Sequence, residues 1–129
     1  MKKVLFVCVR NSGRSQMAEA FFNHLAKGKA VALSAGTQPA SRINSTVVEV
    51  MLEVGIDVSA QIPKLLNLEM IESADCVITM GCGVEGVCPA SFVPTEDWEL
   101  EDPEQEPVEK VRQIRDEIRN KVVELVKEL

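Results

Sequence analysis

The sequence predicts a small α/β domain: a doubly wound, four-stranded parallel sheet in the order 2-1-3-4, with helices on both faces. Three observations lead there. Short apolar runs recur along the chain, each followed by a stretch with helical spacing, which is the pattern of βαβ units with right-handed crossovers. The runs are continuous rather than alternating, as strands buried on both faces require. The 129 residues carry no internal repeat, linker or low-complexity segment, so a single domain is expected over residues 1–129.

The first run, residues 4–7 (Val4, Leu5, Phe6, Val7), reads as a buried strand. With Lys2 and Lys3 before it, the run faintly resembles a leader peptide. It is too short for one, and Arg10, Asn11 and Arg14 interrupt it. After the polar stretch 10–15, Met17, Ala20, Phe21 and Leu25 give an amphipathic helix that ends near Gly28. Residues 30–35 form a second strand, stopped by Gly36. Val47, Val50, Met51 and Val54 mark a second helix, with Asn44 or Ser45 as N-cap and Gly55 at its end. A short helix is expected over 65–72, a third strand over 76–80, a Gly-, Cys- and Pro-rich loop over 81–94, and a short fourth strand near 91–93. Val108, Val111, Ile114, Ile118, Val122, Leu125 and Leu129 form the apolar stripe of a last helix packed on the sheet.

Composition narrows the function. A net charge of −6 argues against nucleic acid as partner, since phosphate neutralisation needs clustered Lys and Arg. No apolar run reaches the ~20 residues that span a bilayer, so no membrane segment is expected. Four cysteines without an export signal point to a cytoplasmic protein with catalytic or redox-active thiols rather than a disulfide framework. The acidic residues of 96–109 read as solvated surface, against a basic stretch over 2–14.

The chemistry is expected between the first strand and the first helix, in Cys8-Val9-Arg10-Asn11-Ser12-Gly13-Arg14-Ser15. A loop wrapping from strand to helix turns backbone N–H groups inward as a concave anion nest, and the helix N-terminus adds unpaired donors and its dipole. Val9, Arg10, Asn11, Ser12, Gly13 and Arg14 are the expected oxyanion-binding residues. Gly13 lets the backbone bend where a side chain would obstruct it. Arg14 can hold two oxygens with its planar fork. The same positive field favours the thiolate of Cys8, and Ser15 can donate a hydrogen bond to it. The set is an activated nucleophile facing a tetrahedral oxyanion. Neither a Gly-x4-Gly-Lys-Ser/Thr loop nor a dinucleotide fingerprint is present. In the sheet order 2-1-3-4, the loop after Val7 lies beside the loop after Met80, which brings Cys82 and Cys88 toward Cys8.

This segment resembles the phosphate-binding loop of low-molecular-weight protein tyrosine phosphatases and of the arsenate reductases that share their fold, the phosphotyrosine phosphatase I-like fold. The likeness continues through Ser34-Ala35-Gly36-Thr37, Gly55-Ile56-Asp57, Ala74-Asp75 and Asp102-Pro103. It implies that Asn11 and Ser34 hold the loop in shape and that Asp102 is a general acid. Residues 79–82, 88–89 and 96–103 are similar to thioredoxin-coupled arsenate reductases. Glu104 and Gln105 stand where the phosphatases usually carry aromatic residues, and the chain has no tyrosine.

The expected activity is therefore reduction of arsenate to arsenite, with a disulfide relay from Cys8 through Cys82 and Cys88 to thioredoxin or a similar thiol reductant. The alternative is a protein tyrosine or small-molecule phosphatase working through a cysteinyl-phosphate. A third reading, a non-catalytic oxyanion-binding or redox-responsive module, has to explain why Cys8, Arg14, Cys82 and Cys88 coincide. No cofactor or metal is expected, because no Cys-x-x-Cys pair is present to support zinc. Some members of the resembled family bind potassium. Asn11, Glu19 and Ser34 match their ligands, but Lys64 falls near the acidic position, and a lysine cannot ligate a cation. Cys76 is expected to fill core, Trp98 to anchor packing, and His24 to lie at the surface or a core edge.

Overall fold

The computed structural model describes residues 2–80, 95–98, 100, 101 and 103–128. The chain runs β1 (Lys2–Cys8), α1 (Arg14–Leu25), β2 (Ala30–Gly36), α2 (Ser45–Leu52), α3 (Leu68–Ser73), β3 (Cys76–Thr79), β4 (Thr95–Asp97) and α4 (Val108–Lys127). All strand pairs are parallel, and the sheet order is β2-β1-β3-β4. β2, β1 and β3 make up most of it; β4 is a three-residue edge that pairs Ile78 with Glu96. The last strand was expected at 91–93, which lies outside the described residues; the residues paired with β3 are Thr95–Asp97.

The alternation along β1 divides the core between the two sheet faces. Val4, Phe6 and Cys8 point into the larger cluster, where Met17, Phe21 and Phe22 of α1, Val47, Val50 and Met51 of α2, and Val111, Ile114, Ile118 and Val122 of α4 meet. Leu5 and Val7 point to the other face, joining Ala35, Val77 and Ile71 of α3. Phe6 is fully buried between Phe22 and Trp98, with ring centroids at 6.0 Å and 5.6 Å. Truncating such a ring to alanine generally costs about 3–5 kcal/mol.

Helix boundaries follow local chemistry. The Asn44 side chain accepts a hydrogen bond from the Thr46 N–H at the start of α2. Gly28 and Gly55, after α1 and α2, sit at φ 85° and 83°, the left-handed region that suits glycine. The third helix starts later than the spacing indicates. Leu65 is extended and bridges Gly36 in parallel, and α3 begins only at Leu68, capped by the Asn67 side chain. Asn67 offers its oxygen to the Met70 N–H, and that local bond sets the start more strongly than the apolar residues before it.

α4 packs against α1 and α2. Buried Arg115 donates to the Val50 carbonyl at 2.8 Å and to Glu53 at 2.8 Å, while Arg112 forks onto Glu53 with a closest contact of 2.6 Å. These arginines hold the Glu53 carboxyl below the usual range; the Arg112 hydrogen bond is the largest cause, burial opposes it, and the Arg115 hydrogen bond adds to it. Among the described residues, no helix is long and apolar enough to cross a membrane.

Candidate active site

Strand pairing sets the position of Cys8, the nucleophile expected from the sequence. Cys8 is the last residue of β1, in register with Gly36 of β2, and is 2% exposed. The loop that follows curls back over its sulfur because its carbonyls are all drawn outward. Cys8 O accepts from the Thr37 N–H at 3.3 Å, Val9 O from Gln38 at 2.8 Å, Arg10 O from Ala40 at 2.9 Å and Ser12 O from Asn44 at 2.9 Å. Asn11 O accepts from the Gln16 side chain at 3.1 Å, and Gly13 O from the Met17 N–H at 2.9 Å. A peptide's C=O and N–H point in opposite directions across its plane, so outward carbonyls turn the following N–H groups toward the concave side. The Asn11 N–H does this visibly, donating to Cys8 Sγ at 3.2 Å.

Asn11 adopts φ 51°, a left-handed conformation that asparagine tolerates better than most residues. Its side chain is fully buried and hydrogen-bonded at both ends. Nδ2 donates to Ser15 Oγ at 2.7 Å, and Oδ1 accepts from Gln16 Nε2 at 3.0 Å and from the Lys64 N–H at 2.8 Å. Ser15 Oγ lies 2.8 Å from Cys8 Sγ. With Asn11 donating to that oxygen, the hydroxyl proton is free to point at the sulfur, and a thiolate there accepts two hydrogen bonds.

Gly13 is the N-cap of α1 and brings no side-chain cap, so no side chain covers the N–H groups of the first turn. A Cβ on Gly13 would lie 2.9 Å from Pro103 Cγ. Glycine is required there because the segment after residue 102 packs directly on the loop; the left-handed residue of the loop is Asn11 instead. Gly36 has a similar role from the other side, since a Cβ would meet the Val9 oxygen at 2.5 Å and the Asn11 nitrogen at 2.9 Å.

Arg14 is 5% exposed and donates from Nη1 to the Leu100 carbonyl at 3.1 Å, so its fork is aimed by the chain that runs past the pocket. The Arg10 side chain pairs with Glu104 at 2.9 Å, an exposed contact of the kind worth about 0–1 kcal/mol. The pocket over Cys8 is lined by Cys8, Arg10, Ser12, Gly13, Arg14, Asn44, Pro103 and Glu104. No aromatic residue lies among these.

Ser34 is fully buried, but its hydroxyl donates to Glu19 at 2.9 Å and not to the loop. Glu19 in turn lies 3.7 Å from Lys64 Nζ, and the Lys64 N–H reaches Asn11, so Ser34 connects to the loop only through Glu19 and residue 64. Lys64 thus brings its ammonium to Glu19, one of the residues that match the potassium ligands of the resembled family. Cys76 is half-buried at the start of β3, packed against the main core cluster, and burial pushes its thiol up. Trp98 is 5% exposed with Lys121 over its ring, and His24 is exposed. Cys82, Cys88 and Asp102 lie outside the described residues. The chain leaves β3 next to Cys8, however: the Met80 N–H donates to Val7 O at 2.9 Å. Among the described residues no group of His, Cys, Asp and Glu could hold a metal ion.

Sequence reasoning missed Gln16, Gln61, the Leu100 carbonyl and the backbone donors of 37–44. A glutamine in the first turn of an amphipathic helix was the one available signal, because its neighbours there are buried.

Residues 3–129 match the model of the low molecular weight phosphotyrosine protein phosphatase family. A glutaredoxin arsenate reductase of Synechocystis is 42% identical over 98% of this chain and 97% of its own. Among solved structures, an arsenate reductase in the phosphate-binding state is 40% identical with a TM-score of 0.87, covering 99% of this chain and 98% of that one. The thioredoxin-dependent arsenate reductase of Corynebacterium glutamicum is also 40% identical, with a TM-score of 0.85; the match covers 99% of this chain and 61% of that longer one. The chain belongs to the low molecular weight phosphotyrosine protein phosphatase family.

Proposed function

We propose that this member of the family reduces arsenate to arsenite, using Cys8 as nucleophile and a thiol reductant as the source of electrons. The observation that carries the reading is the buried Cys8 Sγ, hydrogen-bonded by the Asn11 N–H and placed against Ser15 Oγ, at the base of a loop whose carbonyls point outward. That arrangement presents donors to a small tetrahedral oxyanion and a thiolate to its central atom. The names of the Synechocystis and Corynebacterium relatives support arsenate as the oxyanion and a dithiol as the reductant.

In the proposed sequence the Cys8 thiolate attacks arsenic(V) and a hydroxyl leaves as water, taking up a proton. Asp102 is the acid we assign to that departure, and the Arg14 fork holds the remaining oxygens. The Cys82 thiolate then attacks the Cys8 sulfur. The sulfur–arsenic bond breaks, its electron pair stays on arsenic, and arsenite departs as arsenic(III), leaving a Cys8–Cys82 disulfide. Cys88 attacks Cys82 and frees Cys8 as thiolate, and an external dithiol such as thioredoxin or glutaredoxin reduces the Cys82–Cys88 disulfide. The exit of β3 beside Cys8 supports the first exchange, since residue 82 follows Met80 by two positions.

The same loop serves phosphoryl transfer, so a phosphatase is the second reading. The pocket lining weighs against an aryl phosphate, because among the described residues none that lines it is aromatic and able to stack on the leaving group. The deciding experiment is arsenate turnover with a thioredoxin recycling system, comparing the parent with Cys82→Ser and Cys88→Ser. Repeated turnover by the parent, with both variants stalling after at most one cycle, is the expected result. Hydrolysis of an aryl phosphate by all three proteins, with arsenate untouched, overturns it in favour of the phosphatase.

A further inference from the structure

Six consecutive carbonyls, from Cys8 to Gly13, are each held by a donor, and five of the six donors are backbone N–H groups. The exception is the carbonyl of Asn11, which is held by the side-chain amide of Gln16. Gln16 is fully buried, and its Nε2 also faces Asn11 Oδ1 at 3.0 Å and Ile62 O at 3.2 Å. Its own oxygen accepts from the Gln61 side chain, and the Asn11 and Ile62 carbonyls, which can only accept, fix the other end of the amide as the donor. A single side chain therefore completes a series that the backbone otherwise makes.

We infer that Gln16 is a positioning residue for the oxyanion nest: its amide holds the Asn11 carbonyl outward, which sets the Asn11–Ser12 peptide plane and directs the Ser12 N–H to the concave side. It also braces the one left-handed residue of the loop, whose own N–H reaches Cys8 Sγ. With no partner on the Asn11 carbonyl, the left-handed conformation loses its tie and the peptide is free to rotate. Both the anion's donors and the sulfur's donor then lose their aim. Gln16 does not line the pocket and its side chain makes no hydrogen bond to the sulfur; its hydrogen bonds into the loop go to Asn11, through which it acts.

The inference rests on the reading of this loop as an oxyanion site but not on which reaction follows. Its test is accordingly independent of arsenate turnover. Cys8 is alkylated with iodoacetamide, and inorganic phosphate protects it in proportion to its occupancy of the nest. Gln16→Met keeps length and volume but removes the donors. Gln61→Met loosens the same buried network without removing a donor from any loop carbonyl. The expected result is phosphate protection weakened about tenfold or more in Gln16→Met, and near parental protection in Gln61→Met. Equal weakening in both variants, or parental protection in folded Gln16→Met, overturns the assignment. If Gln16→Met does not fold, Gln16→Glu keeps an acceptor for Gln61 while setting a carboxylate against the Asn11 carbonyl. Phosphate protection is then expected to be lost, and its retention overturns the assignment equally.

Discussion

Replacing Gly36 with alanine tests the site through sterics alone. The new methyl would sit 2.5 Å from the Val9 oxygen, 2.9 Å from the Asn11 nitrogen and 3.0 Å from the Asn11 Cβ, whereas ordinary contact begins at 3.4 Å. Gly36 cannot move away. It is registered with Cys8 on one side, while its N–H donates to Lys64 O at 2.8 Å and its carbonyl accepts from Leu66 at 2.8 Å. The loop must retreat instead, by roughly 1 Å at Val9, well outside the optimum of a non-bonded contact. A retreat of that size takes the Asn11 N–H, now 3.2 Å from Cys8 Sγ, beyond hydrogen-bonding reach. A hydrogen bond to a charged acceptor is worth about 1.5–3 kcal/mol, so Cys8 alkylation at neutral pH is expected to slow by about 10- to 100-fold. Overpacking adds about 1–3 kcal/mol of lost stability, read from the urea midpoint. A folded Gly36→Ala protein with parental alkylation rate and phosphate affinity would refute the account of the loop as held rigidly between β2 and the sulfur.

Two further outcomes follow from the same geometry. Ser15→Ala removes the hydroxyl 2.8 Å from Cys8 Sγ and leaves the loop carbonyls held, so alkylation should slow about tenfold while phosphate protection changes little. Unchanged alkylation would show that the hydroxyl does not donate to the sulfur. The Glu53 carboxyl is depressed by Arg112 and Arg115 in the folded state, so its contribution is present above the usual glutamate value of about 4.3 and is lost as pH falls through the lower folded value. The stability gap between the parent and Glu53→Gln, measured by urea unfolding, should therefore narrow on acidification below about pH 4. A gap that widens on acidification contradicts the assignment of that tie.

The framework was legible in the sequence wherever apolar periodicity and a stop coincided. The run Val4 to Val7 and the Gly28 and Gly55 stops locate β1, α1 and α2 to within a few residues, because burial and left-handed glycines act locally. The start of α3 was misread because Leu65 and Leu66 continue an apolar pattern while their backbone is extended against Gly36. At the site, Cys8, Arg14 and Ser15 stood out through residue type and spacing. What holds them did not. The donors of Thr37, Gln38, Ala40 and Asn44 are peptide groups with no side-chain signature, and the route by which Ser34 reaches the loop, through Glu19 and Lys64, has none either.

That reliance on main-chain donors has a consequence for variation. Peptide N–H groups are common to every residue except proline, so positions 37, 38 and 40 are free to change in size, charge and polarity without disturbing the nest they secure. Pro39 occupies the one place between them whose nitrogen the loop does not use. The outer side of the loop can therefore be rewritten over generations, while the cradle around Cys8 is inherited unchanged.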